Sequence, residues 1–166
     1  MKRYFIAAAL AAISAGAFAA DTATVVVNAK VSGTCLFQNK SGTLDFGTLD
    51  PSAASLPATA APTQGLIINC TKGTLLGSIV LKPTTGSTGT ATTGTGLSGG
   101  SYSGTMKSGT DTLPFTITWP ATSVTGTGFP GGSTPNLTLT GGLALADVQA
   151  AVAGTYSSSV DVVITP

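Results

Sequence analysis

Apolar and polar residues alternate with period two in several short stretches of this chain, and helical periodicity is rare. Val25, Val27, Ala29 and Val31 fall on one face of Ala23–Val31, with Thr24, Val26, Asn28 and Lys30 on the other. Phe115, Ile117 and Trp119 alternate with Thr116 and Thr118. Val160, Val162 and Ile164 alternate near the C-terminus. Strands are predicted at Thr24–Val31, Cys35–Phe37, Thr43–Phe46, Leu66–Cys70, Leu75–Lys82, Leu113–Trp119, Asn136–Thr140 and Tyr156–Thr165. Gly, Pro, Ser and Thr clusters separate them, which predicts an all-β fold, a β-sandwich. Thr84–Gly109 is rich in Thr, Gly and Ser and reads as long surface loops or weak edge hairpins. Leu143–Val152 is the one helix-like stretch, with Gly154 as its stop.

Residues 1–19 have the pattern of a cleaved signal peptide. Lys2 and Arg3 precede an apolar run over Tyr4–Ala12, and Ala17-Phe18-Ala19 supplies small-x-small. The run is short for a membrane anchor, so export is the expectation, with a mature chain from Ala20. The Val25–Val31 strand then stands at the new terminus, with no preceding strand to pair with. An apolar strand at a free end invites a partner sheet, and donation to a neighbouring subunit is one way of using it.

The remaining length suits one domain. Charge is sparse: seven Lys and Arg against six Asp, with no Glu and no His. Removing Lys2 and Arg3 leaves a net charge of about −1. That excludes a basic nucleic-acid face. Cys35 and Cys70 are an even pair in an exported chain, which predicts a disulfide over the alternative of two free thiols. A metal site is disfavoured without histidine.

The catalytic inventory is poor, and the chain is expected not to be an enzyme or to use a cofactor. Gly94-Thr95-Gly96-Leu97-Ser98-Gly99 matches GxGxxG, but no apolar strand precedes it and no helix follows. Gly96-Leu97-Ser98-Gly99-Gly100 matches GxSxG without any histidine to act as base. Asp45 and Asp50 flank a tight connection and read as turn aspartates. Tyr102, Trp119 and Phe129 could line a sugar-binding surface, although Trp119 in an alternating strand reads first as core. Asn69-Cys70-Thr71 and Asn136-Leu137-Thr138 fit the glycosylation sequon.

Three stretches carry a resemblance to a known family. Cys35-Leu36-Phe37 with Thr43-Leu44-Asp45-Phe46-Gly47-Thr48-Leu49-Asp50-Pro51 resembles the opening of spore coat protein U domains. Ile67-Ile68-Asn69-Cys70-Thr71-Lys72-Gly73-Thr74 resembles their second-cysteine motif, and Gly154-Thr155-Tyr156 with Val160-Asp161-Val162-Val163-Ile164 their closing strand. The family includes subunits of archaic (Csu-like) chaperone–usher pili. The resemblance implies an incomplete immunoglobulin-like β-sandwich over residues 32–166, completed by a donated N-terminal strand from a neighbouring subunit. Residues 20–31 would be the donor, with Val25, Val27, Ala29 and Val31 facing in. Val160, Val162 and Ile164 would edge the acceptor groove, and Cys35–Cys70 would be the family's disulfide. It further implies a periplasmic chaperone, an outer-membrane usher and identical or related pilin subunits as partners, in a cell-surface adhesive pilus for attachment and biofilm formation. The alternative is a secreted spore-coat or matrix protein whose sandwich is complete in itself.

Overall fold

The computed structural model describes residues 23–84, 88–90, 92–95 and 98–166. The expected signal peptide at 1–19, donor residues 20–22, and Gly96 and Leu97 of the glycine motif lie outside the described residues. The chain divides after Lys30, and residues 23–30 are described by themselves. They carry no helix or strand, and every one is exposed.

Residues 31–166 are mostly β-strand in antiparallel sheets, with little helix. The strands are β1 (Cys35–Phe37), β2 (Thr63–Leu66), β3 (Ile68–Cys70), β4 (Ser78–Pro83), β5 (Thr88–Thr90), β6 (Thr92–Thr95), β7 (Gly100–Ser108), β8 (Asp111–Trp119), β9 (Leu137–Gly142) and β10 (Val160–Thr165). One helix, α1, spans Leu145–Ala150. The sheets run β2-β9-β8-β7-β5, β10-β4-β6 and β1-β3. Apolar side chains of all three share one core.

β8 shows why these residues form a strand. Leu113, Phe115, Ile117 and Trp119 are buried, while Thr112, Pro114, Thr116 and Thr118 are exposed. The odd positions fill the core and the even ones face water. Pro114 has no N–H for a ladder. It is tolerated because β9 pairs only with Thr116–Thr118, leaving β8 without that neighbour at 114.

Several expected boundaries move. Leu66–Cys70 is not one strand: β2 pairs with β9, β3 pairs with β1, and the chain changes sheet at Ile67. Two asparagines hold that junction. Asn39 Oδ1 accepts from the Ile67 N–H at 2.7 Å, and its Nδ2 donates to the Gly65 carbonyl at 3.1 Å. Asn136 accepts from the Ile68 N–H at 2.9 Å and donates to the Ile68 carbonyl at 2.8 Å. Thr43–Phe46 is not a strand; side-chain acceptors take the N–H groups at its start, Thr43, and one residue past its end, Gly47. The Thr43 N–H donates to Gln64 Oε1 at 3.0 Å and the Gly47 N–H to Asp45 Oδ1 at 2.9 Å. Gly47 closes that turn at φ 68°, a conformation that costs glycine little. The predicted Leu75 and Tyr156 strand starts shift to Ser78 and Val160, and the helix shortens to Leu145–Ala150.

The largest correction is Thr84–Gly109. β5 and β6 are edge strands, but β7 lies between β8 and β5. It buries Tyr102, Gly104 and Met106. Its glycines make room for aromatic rings. A Cβ at Gly104 would sit 2.8 Å from the Tyr102 ring, and one at Gly100 would sit 2.2 Å from that of Trp119. Here glycine marks close packing rather than a loop.

The disulfide is present. Cys35 and Cys70 face each other across β1 and β3, with Cα atoms 4.0 Å apart, and both are buried.

Candidate functional site

β10 has one paired edge and one free edge among the described residues. On one side it pairs with β4 along its whole length, from Val160 opposite Pro83 to Thr165 opposite Ser78. The Thr84 N–H donates to the Ser159 carbonyl at 3.3 Å, in the same register. Backbone polarity alternates along an antiparallel strand. Asp161, Val163 and Thr165 therefore point their N–H and C=O groups at β4, and Val160, Val162 and Ile164 point theirs at the free edge. The same three residues turn their side chains inward, half-buried against the core.

Beside that edge lies a groove of about 1160 Å³. This exceeds the roughly 300–1,000 Å³ usual for small-molecule pockets. Val160 and Val162 form part of one wall. Leu66, Met106, Leu113, Phe115, Ile117 and Leu139, from the five-stranded sheet, line it from within. The irregular segment from Asn39 to Pro51 contributes Leu44, Phe46 and Leu49. Tyr156 and Ser157–Ser159 line it where the chain leads into β10. Ser157 is fixed there by exchanging hydrogen bonds with Lys107, at 2.9 and 3.1 Å. Ser158 Oγ is buried with no hydrogen-bond partner among the described residues.

Of the three expected edge residues, Val160 and Val162 line the groove, while Ile164 packs on the core beyond it. The expected donor residues are exposed: Val25 at 80%, Val27 at 86% and Val31 at 81%, with Ala29 also exposed. The predicted strand Thr24–Val31 is absent from the single chain. The groove floor was missed from the sequence. Met106 sits in the glycine-rich stretch, and Leu66 and Leu139 signal only core.

The polar candidates resolve into structural roles. Asp45 and Asp50 each make local turn bonds. Asp50 Oδ1 accepts from the Ser52 hydroxyl at 2.7 Å and the Ser52 N–H at 2.8 Å, and these bonds hold its carboxyl below the usual carboxylate range. Tyr102 and Trp119 are buried and Phe129 is exposed, so the three do not form one exposed aromatic surface. Burial pushes the Tyr102 phenol upward. The Asn136 side chain is committed to Ile68, and Asn69 Nδ2 donates to Gln38 Oε1 at 3.1 Å. Among the described residues no cluster of His, Cys, Asp or Glu could hold a metal ion.

Comparison with protein-family models, curated proteins and solved structures gave no match.

Proposed function

We propose that this protein is a structural subunit that polymerises by strand donation, in an adhesive chaperone–usher pilus of the kind its sequence resembles. The observation that carries the proposal is the groove beside β10. A cleft of mixed lining, with apolar core side chains at its floor, opens next to a row of unpaired backbone groups at Val160, Val162 and Ile164. A donated strand would satisfy those groups and bury apolar side chains in one step. The chain carries a segment of matching chemistry in residues 23–31, whose valines are exposed. On this account residues 32–166 are an incomplete immunoglobulin-like sandwich, and Val25, Val27, Ala29 and Val31 of a second copy complete it. The partners are further copies or related subunits, a periplasmic chaperone and an outer-membrane usher, and the product is a cell-surface fibre for attachment.

The test is complementation in trans. A chain lacking residues 20–31 is mixed with a peptide of that sequence. The expected result is a raised melting temperature, lost when Val25 and Val27 of the peptide become Asp. An equal melting temperature with and without peptide contradicts the proposal.

A further inference from the structure

The donor segment runs directly into chain that is fastened to the body. Val31 is its last residue, and Ser32, Gly33 and Thr34 follow. The Thr34 N–H donates to Thr71 Oγ1 at 3.1 Å, and the Thr71 N–H donates to the Thr34 carbonyl at 2.8 Å. The Thr71 hydroxyl also lies 3.4 Å from the Ser32 carbonyl. A Cβ at Gly33 would sit 2.9 Å from Thr74 Oγ1, so the backbone runs close against Thr74 there. The Cys35–Cys70 disulfide ties the same two stretches together. Little slack remains at this exit, because Val31 and Thr34 are separated by at most about 11 Å of chain.

Exposed apolar side chains flank the exit. Beyond residue 31 the exposed large apolar residues, among those described, are Leu36, Leu75, Phe129, Val152 and Val163. The first three adjoin the fastened junction, and each is more than half exposed. Leu36 follows Cys35 and stands opposite Asn69, which precedes Cys70. Leu75 follows Thr74, the residue that Gly33 runs against. Phe129 follows Gly128, whose N–H donates to the Cys70 carbonyl at 3.1 Å. A single exposed leucine needs no explanation, but three large apolar side chains around one junction mark a contact surface.

We infer that Leu36, Leu75 and Phe129 dock on the copy that receives the donor strand, as a second contact beside that strand; this rests on the strand donation proposed above. Chain connectivity selects the occupant. A donor seated as far as Val31 draws the exit up to the receiving copy, because the fastened residues begin at Ser32 and leave no tether to hold the two apart. Docking removes from water the apolar surface that the single chain leaves exposed. It also holds successive subunits at one angle.

The test uses the full chain and two changes. One replaces Leu36, Leu75 and Phe129 together by serine. The other inserts a flexible Gly-Ser-Gly-Ser between Val31 and Ser32, which lets the donor seat without drawing the exit in. Polymer half-life at a fixed elevated temperature is read from the ladder on a denaturing gel, and the angles between successive subunits from negative-stain images. The triple serine change is expected to shorten the half-life about ten-fold and to widen the spread of angles. The insertion is expected to shorten it by itself, which keeps the test open if the triple variant fails to fold. Combined with the insertion, the serine changes are expected to add little, because the contact is already lost. Unchanged half-lives with either change, or fully additive losses, overturn the docking contact and leave strand donation standing. An unmodified chain that forms no ladder overturns both.

Discussion

β8 and residues 23–31 carry the same pattern and meet different fates. Each alternates apolar and polar positions. β8 buries Leu113, Phe115, Ile117 and Trp119 against partners from its own chain. The valines of residues 23–31 are exposed, and no strand forms there. Alternation thus fixes which face of a strand is apolar without deciding what covers it. β8 has β7 on one side and β9 on the other. The N-terminal segment has the pattern without a sheet, and the groove beside β10 has a free edge without a strand.

Breaking β8 should cost the fold. Trp119→Ala removes a buried ring from the core and should destabilise by about 3–5 kcal/mol, measured by urea unfolding. A glycan-binding signal abolished by this change in a chain that stayed fully folded would instead revive a sugar site. Next in size is the disulfide. Cys35→Ser with Cys70→Ser should cost roughly 3.5–4 kcal/mol, because the unfolded chain regains a loop of 35 residues' separation. Gly104→Ala should cost about 1–3 kcal/mol, since its Cβ would crowd the Tyr102 and Phe115 rings. An unchanged unfolding midpoint would remove the packing explanation for that glycine.

Breaking the other region should do the opposite. Val27→Asp should leave the unfolding midpoint of the monomer within about 0.5 kcal/mol, as expected at an exposed site, and abolish polymers. A large loss of monomer stability would mean that the segment pairs within its own chain, as in a self-complete coat protein.

The smallest effect concerns Asp50. Its carboxyl lies below the ordinary range in the folded chain because Ser52 hydrogen-bonds the charged form. A lowered folded value adds stability above the unfolded value, and that stability is lost as pH falls through the folded one. Ser52→Ala should raise the Asp50 value towards the ordinary carboxylate range in an NMR titration, with little change in stability at neutral pH.

The comparison also shows what the sequence could reveal. β8 and the inward face of β10 were legible because large apolar residues alternate there with Thr, Asp or Val. β7 was not, because its inward positions are Tyr102, Gly104 and Met106, and a glycine chosen for ring packing looks like a loop former. Thr43–Phe46 misled in the other direction: its composition suits a strand, but Gln64 takes the Thr43 N–H that a ladder would have used, and Asp45 turns the chain at Gly47. Of the groove, only the edge at Val160 and Val162 could be anticipated. Its floor comes from four strands distant in sequence, and no local pattern distinguishes a core residue under an open cleft from one under a closed sheet.

The most direct test is an unboiled denaturing gel of the exported protein, the chain from Ala20 beside one lacking residues 20–31. Strand donation predicts a ladder of subunit multiples from the longer chain, collapsing to monomer on boiling, and monomer alone from the shorter one. A single monomer band in both lanes, with cooperative unfolding of the longer chain, would contradict it.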